Sequence, residues 1–373
     1  MVRQITLVQI GIGTVGGAVI EQVAANRDQW RSALGVDLQV GAVVTRAGAV
    51  VSASGGPLPD EVLLGMVRGR REGTTDAALT GAPIDVIAPL PAVERLTDAG
   101  PVVIVDASAG EDSVPLLVAG LNGGAGVVLA NKAPMARPWD DTASQSLWAE
   151  ARTGGRVRYE ATCGAGLPII STLWALLDTA DEIVEIQGTV SGTFGTIFSD
   201  IAAGQSFGDA VRDASAHGYT EPDPRDDLSG LDVARKALIL ARTMGKTYDL
   251  SQMEIESLVP AALASTDIDV AAFLARIGEQ DATISRMAGE ATRAGGTLKY
   301  VITVSRDSVP TVGLRTVPQR GILGALHGPE NVVVIRSGRY KEYPLAIFGP
   351  GAGADVTAAG VLADVLALVT VVA

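Results

Sequence analysis

Short runs of β-branched and aliphatic residues alternate with helical stretches through the first half of the chain, as expected of a parallel α/β sheet. The runs are Ile5–Ile10, Leu38–Val44, Val86–Ala88, Val102–Val105 and Val127–Ala130. Helical periodicity separates them, clearest over Val15–Ala25 and Val114–Leu121. Trp139 and Trp148 flank a further helical stretch that ends near Arg152, and Gly154 and Gly155 break it. A domain boundary is placed there. Beyond it the pattern predicts a strand at Ile183–Gln187 that enters a Gly/Thr/Ser loop. A polar loop with prolines, Gly218 to Gly230, feeds a helix from Leu231 to Met244, which Gly245 stops. One long helix is predicted over Val270–Arg293, then strands at Leu298–Ser305 and Val332–Ser337. From Gly349 the chain reads as a glycine turn and a helix. There is no internal repeat.

The chain has 373 residues, more than one hydrophobic core usually serves, so two domains are expected. The 42 acids outnumber the 29 Lys and Arg, and the net charge of -13 argues against nucleic acid or an anionic membrane surface as partner. The single cysteine, Cys163, allows no intrachain disulfide and fits a reducing, cytoplasmic setting. Val356–Ala373 is apolar for about the minimum length that spans a bilayer. It contains Asp364, which would cost about 2.5–3.5 kcal/mol at a bilayer centre. A buried helix followed by a short strand is expected instead.

The first motif with chemistry is Gly11-Ile12-Gly13-Thr14-Val15-Gly16, set between an apolar strand and a helix. Gly11 permits a tight turn, Gly13 lets a pyrophosphate approach the backbone, and Gly16 allows close helix–strand packing. The helix N-terminus offers N–H groups and a positive dipole end to phosphates. An NAD site usually carries an acid at the end of the second strand. Here that strand ends Val43-Val44-Thr45-Arg46, and Asp37 is read as a loop residue at its start. Arg46 can fork onto a 2′-phosphate and Thr45 can add a hydroxyl, which favours NADP(H) over NAD(H); the alternative is a solvated surface arginine.

A second segment runs Gly218-Tyr219-Thr220-Glu221-Pro222-Asp223-Pro224-Arg225-Asp226-Asp227 and continues to Lys236. Its carboxylates suit a substrate ammonium group. Asp232 and Lys236 are four apart and share a helix face. A lysine held beside carboxylates can move a proton; a solvated acidic loop with a surface ion pair is the plainer account. Asn131-Lys132 follows a strand of the first domain, where ligands bind in open α/β sheets. The glycine-rich run Tyr159–Pro168 can turn carbonyls inward beside Glu160, an arrangement that suits a hard cation, or it is simply a helix-entry turn. Gly188–Thr193 is dense in hydroxyls, and Gly349-Pro350-Gly351-Ala352-Gly353 is a second glycine turn before a helix. His217 and His327 are isolated and read as structural.

Together these motifs resemble the homoserine dehydrogenase family. The residues that carry the resemblance are GIGTVG at 11–16, ANK at 130–132, YEATCGAGLPII at 159–170, GTVSGT at 188–193, GYTEPDPRDDLSGLDVARK at 218–236 and GPGAGADVTAAGV at 349–361. The resemblance implies an α/β fold with an N-terminal Rossmann-type parallel sheet and a second α+β domain for catalysis and dimerisation. The corresponding division is 1–155 for the dinucleotide, completed by 338–373 with its returning helix, and 156–337 for substrate and dimer contacts. It implies interconversion of L-aspartate 4-semialdehyde and L-homoserine by a cytoplasmic homodimer with no nucleic-acid or membrane partner. Lys236 matches the family's proton donor, and Lys132 the other family lysine, which contacts the cofactor and is itself a catalytic candidate for proton transfer. Glu221, Asp227, Asp232, Gly188 and Thr189 match substrate-binding positions. The implied cofactor contacts are residues 11–16, Thr45, Arg46, Ser108, Lys132, Gly349 and Gly351. Glu160 with the carbonyls of Cys163, Ala165 and Leu167 matches a site for a monovalent cation, Na+. Carbonyl ligation makes a cysteine at 163 harmless.

Two departures stand out. Asp28–Gly35 lengthens the first crossover, and no C-terminal regulatory domain is expected after the returning helix. Some members with a basic residue at this strand end bind NADP well yet turn over NAD. Two other readings remain: an aspartate-semialdehyde dehydrogenase, which needs a nucleophilic cysteine beside a histidine, and a non-catalytic NADP-binding regulator.

Overall fold

The structure is a computed structural model that describes residues 2–74, 83–265 and 267–372. The chain forms two units, Met1–Gly166 with Gly353–Ala373, and Leu167–Ala352.

The first unit opens with β1 (Arg3–Ile10), α1 (Thr14–Leu34), β2 (Val36–Thr45), β3 (Gly48–Ser52), α2 (Asp60–Glu72) and β4 (Ile84–Ile87). It continues with α3 (Pro89–Ala99), β5 (Val102–Asp106), α4 (Val114–Asn122), β6 (Gly126–Leu129), α5 (Thr142–Ala149) and β7 (Val157–Arg158). The strand order is β4-β3-β2-β1-β5-β6-β7. From β2 to β7 the strands are parallel, as the hydrophobic runs predict. At the other edge β3 and β4 are antiparallel, which corrects the all-parallel expectation. The cause is local: Thr45 pairs with Gly48, and two intervening residues can close only a hairpin.

One further expectation is corrected here. Asp37 is a strand residue of β2, not a loop residue; it pairs with Gln4 of β1, is buried, and accepts from Arg31 and Gln39. Residues 28–34 are helical, and α1 stops at Gly35, which adopts φ +65° and returns its N–H to the Trp30 carbonyl.

The second unit contains α6 (Ile169–Asp178), β8 (Ile183–Thr189), α7 (Gly192–Ala202), α8 (Phe207–Ala216), α9 (Pro224–Leu228) and α10 (Leu231–Thr243). Then come β9 (Glu254–Ile255), α11 (Val270–Arg276), α12 (Asp281–Arg293), β10 (Gly296–Ser305), β11 (Thr311–Pro318), β12 (Glu330–Ser337) and β13 (Leu345–Pro350). The sheet order is β13-β12-β8-β10-β11-β9, antiparallel apart from β11–β9. The helix predicted over 270–293 is two helices with a tighter turn at Ile277–Gln280 between them. Residues 345–350 pair with β12, so this stretch belongs to the second sheet, and Gly349 lies in a strand, not a turn.

The last helix, α13 (Ala354–Val372), belongs to the first unit. It is helical throughout, without the short strand expected after it. By length and composition it could cross a membrane. Its Ala358, Val361, Leu362, Val365, Leu368 and Val369 join the core formed by α1 and the first sheet. Asp364 accepts a hydrogen bond from the Glu160 N–H at 2.8 Å, and burial raises its pKa to about 7. Gly166 and Gly360 meet where α13 crosses: a Cβ on Gly166 would stand 2.2 Å from the Val356 carbonyl oxygen.

Asp141 caps α5 by accepting from Ser144 N–H and holds Arg137 with both oxygens. The Arg137 hydrogen bonds, aided by the Ser144 N–H, lower its pKa to about 2. A depressed carboxylate contributes stability above its unfolded value, and that contribution is lost as pH falls through the folded value. Asp141→Ala should therefore melt below wild type at pH 7, with the difference closing between about pH 4 and pH 2. A thermal series over that range checks it; a pH-independent difference contradicts it.

Candidate functional site

In the first unit a cleft of about 870 Å³ lies over the carboxyl ends of β1, β2 and β5. Its lining includes Gly11, Ile12, Gly13, Thr45, Arg46 and Ser108, so six of the expected cofactor residues come together. Thr14, Val15 and Gly16 do not line it, nor does Lys132. Gly349 and Gly351 belong to the second unit.

Each glycine of the turn has its own steric reason. Gly11 has φ +83°, and a Cβ there would lie 2.9 Å from the Ala107 carbonyl oxygen. On Gly16 it would lie 2.1 Å from the Gly11 carbonyl oxygen. Gly13 has nothing within 4 Å of that position, so its face is open to the cleft. Gly13 also caps α1 without any side-chain hydrogen bond to the first turn. That leaves helix N–H groups available to an anion, and the cleft fits a dinucleotide pyrophosphate.

At the outer end of the cleft Arg46 sits at the tip of the β2–β3 hairpin and is exposed. The Thr45 hydroxyl is engaged in that turn; it donates to the Gly48 carbonyl at 3.4 Å and accepts from Ala47 N–H at 3.2 Å. Arg70, in the last turn of α2, also lines the cleft. The sequence reading missed it, because an exposed arginine on a charged helix face carries no signal of its own.

In the second unit β8 ends where α7 begins, and this junction meets α10 and the acidic loop. Gly188 pairs with Val333, and a Cβ there would stand 2.8 Å from the Val332 carbonyl oxygen. The Thr189 hydroxyl is buried without a hydrogen-bond partner. Ser191 caps α7 by accepting from Phe194 N–H. Lys236, mostly buried, donates to the Val190 carbonyl at 2.7 Å and pairs with Asp232 at 2.8 Å. Lys236, Asp232 and the 188–191 segment are therefore brought together.

Asp227 is held within the acidic loop. One of its oxygens accepts from Glu221 N–H at 2.8 Å and the other from the Thr193 hydroxyl at 2.9 Å. That hydroxyl also lies 2.7 Å from the Tyr219 carbonyl. Asp227 thus shapes the loop that carries Glu221. Burial pushes its carboxyl above the ordinary range, with Asp232 and Asp226 adding to the shift against those hydrogen bonds. Glu221 is exposed. The sequence shows Thr193 only as one hydroxyl of the 188–193 run; its partner Asp227 lies 34 positions on and leaves no local signal.

The run at 160–166 forms a short 3₁₀ turn and a left-handed bend, with φ +83° at Gly164 and +57° at Ala165. Glu160 and Cys163 are buried. Leu167 opens the second unit, and its carbonyl accepts from Ile169 N–H. Among the described residues no three His, Cys, Asp or Glu side chains gather as a metal site, so a cation here would depend on backbone oxygens.

Comparison with known proteins identifies the family. Residues 168–366 match the family model for homoserine dehydrogenase, and residues 11–160 match that for the homoserine dehydrogenase NAD binding domain. The homoserine dehydrogenase of Schizosaccharomyces pombe is 32% identical over 370 residues, covering 97% of this chain and 94% of that protein. The chloroplastic bifunctional aspartokinase/homoserine dehydrogenase 2 of Zea mays is 46% identical over 213 residues, 56% of this chain. The chain spans about a quarter of that relative, 23% of its length. The crystal structure of a putative homoserine dehydrogenase from Archaeoglobus fulgidus superposes with a TM-score of 0.74 at 25% identity, covering 99% of both chains. The chain belongs to the homoserine dehydrogenase family.

Proposed function

We propose that the chain interconverts L-aspartate 4-semialdehyde and L-homoserine with a nicotinamide cofactor, NADP(H) in preference to NAD(H). This is a step towards threonine, methionine and isoleucine. The observation that carries the reading is the Lys236 ammonium, held between the Asp232 carboxylate and the Val190 carbonyl. The cofactor supplies the hydride when bound. Lys236 stabilises developing alkoxide charge and gives the proton. Glu221 receives the substrate ammonium group, and Asp227 with Thr193 fixes the loop from which it does so. Asp232 and the unpartnered Thr189 hydroxyl hold the substrate's polar groups. Lys132, beyond β6, contacts the cofactor in this reading and assists the proton transfer beside it. A monovalent cation at Glu160 and the carbonyls of Cys163 and Ala165, and a homodimer, belong to it as well.

Preference for NADP(H) rests on charge. No carboxylate stands at the end of β2, whereas Arg46 and Arg70 line the same cleft. A 2′-phosphate there gains charge-assisted hydrogen bonds worth about 1.5–3 kcal/mol each. Homoserine oxidation followed at the nicotinamide absorbance, with NADP+ and NAD+ separately, tests both points. Arg46→Ala or Arg70→Ala should raise the KM for NADP+ about tenfold or more and leave that for NAD+ within about threefold. Equal effects on both cofactors would remove the 2′-phosphate assignment. Turnover with neither would leave a non-catalytic NADP-binding protein. Cys163 is buried in its turn, so Cys163→Ser should retain activity; losing it would favour a thiol mechanism.

A further inference from the structure

The carboxylate of Asp106 takes no part in the steps above, yet it is the most heavily bonded group beside the cofactor cleft. It closes β5 and is fully buried. One oxygen, Oδ1, accepts from the Ser108 N–H at 2.9 Å and the Ser108 hydroxyl at 2.6 Å. The other, Oδ2, accepts from the Ser113 hydroxyl at 2.7 Å and the Asn131 amide at 3.1 Å. Its backbone carbonyl accepts from the N–H groups of Ala130 and Asn131.

These donors come from two segments. Ser108 and Ser113 stand on the 107–113 wall of the cleft, which lies close against Gly11. Asn131 immediately precedes Lys132. Its amide also donates to the Gly110 carbonyl at 2.8 Å, and its carbonyl accepts from Ala133 N–H at 3.1 Å. Asn131 is therefore oriented on all sides, with Asp106 at the centre. A buried carboxylate satisfied by four donors holds them rigidly, because every displaced donor is left unpaired out of water.

We propose that Asp106 is a positioning residue for the reaction: through Asn131 it fixes the Lys132 segment in register with the wall that holds the cofactor. The proposal rests on the reading of Lys132 given above. Asp106→Asn separates its two sides. The Ser108 backbone N–H cannot turn, so the new amide oxygen stays towards it. The new amide nitrogen then faces Ser113, whose hydroxyl can rotate and accept, and the Asn131 amide, which cannot. Only the Asn131 side is lost.

The test measures NADPH affinity by nicotinamide fluorescence, kcat for homoserine oxidation and the melting temperature. Asp106→Asn should bind NADPH within about threefold of wild type while kcat falls about tenfold. Wild-type kcat in Asp106→Asn overturns the proposal. So do parallel losses of NADPH affinity, kcat and melting temperature, which a purely structural carboxylate would give. Lys132→Met is the control. Unchanged kcat there overturns the role of Lys132; reduced kcat there with wild-type kcat in Asp106→Asn overturns only the inference about Asp106.

Discussion

Replacing Lys236 by alanine should lower kcat for homoserine oxidation by about 10²–10⁴-fold, the contribution typical of a positioned acid or base. NADPH affinity should stay within about threefold, because Lys236 belongs to the second unit and the glycine turn to the first. The fold should tolerate the change. Lys236 is on the first turns of α10, and its ion pair with Asp232 is half open to solvent on the Asp232 side. Such pairs contribute about 0–1 kcal/mol, so melting should drop by only a few degrees. Lys236→Arg separates charge from proton transfer. It keeps the positive charge beside Val190 and Asp232, but a guanidinium with pKa above about 12 is a poor proton donor. Turnover should therefore remain low even though substrate binding is retained. A kcat within twofold of wild type in Lys236→Ala, with the protein folded, removes Lys236 from the chemistry and with it the observation that carries the proposed function.

What the sequence revealed, and what it hid, follows from how each residue acts. Gly11, Gly13 and Gly16 were legible because the missing side chain is itself the signal, and the flanking strand and helix fixed the context. The acidic loop was legible as a motif that ends on Lys236. Its internal division of labour was not, because the pairing of Asp227 with Glu221 N–H and Thr193 joins residues up to 34 positions apart. Arg70 stands 24 positions beyond Arg46 on a helix whose exposed face is charged throughout, and only tertiary placement distinguishes it. Asp106 is passed over at the end of an apolar strand, because its four donors come from either side of α4 and only the fold gathers them. The element errors are of the same kind. Apolar periodicity continues through Ile277–Gln280, and the lone Gly278 there is too weak a breaker to overrule it in the sequence. The β-branched run at the C-terminus suggested a strand, but burial against α1 and the first sheet keeps it helical.

Gly13→Ala should lose cofactor affinity alone and Gly16→Ala stability as well, and the contrast tests the dinucleotide site without reference to the reaction. Gly13 has φ −73° and ψ −159°, a conformation open to any residue, and a Cβ there meets nothing. Gly13→Ala should therefore melt within about 1 °C of wild type. The methyl group would stand where the pyrophosphate approaches the backbone and would displace it from the helix N–H groups. Charge-assisted hydrogen bonds of that kind are worth about 1.5–3 kcal/mol each, so NADPH affinity should fall about 10–100-fold or more. Gly16 acts through the fold. It is buried, and its Cβ would lie 2.1 Å from the Gly11 carbonyl oxygen and 2.9 Å from the Gln9 amide nitrogen. A backbone atom cannot rotate away, so α1 must lift from the turn. Overpacking of this kind costs about 1–3 kcal/mol, or a melting temperature lower by some 2–10 °C. Cofactor affinity should fall with it, since the turn is displaced. Calorimetry of the cofactor-free proteins and fluorescence titration with NADPH separate the two. Wild-type affinity in Gly13→Ala would mean that the pyrophosphate does not lie on this turn. Wild-type melting in Gly16→Ala would mean that α1 is not seated on Gly11 as the structure has it.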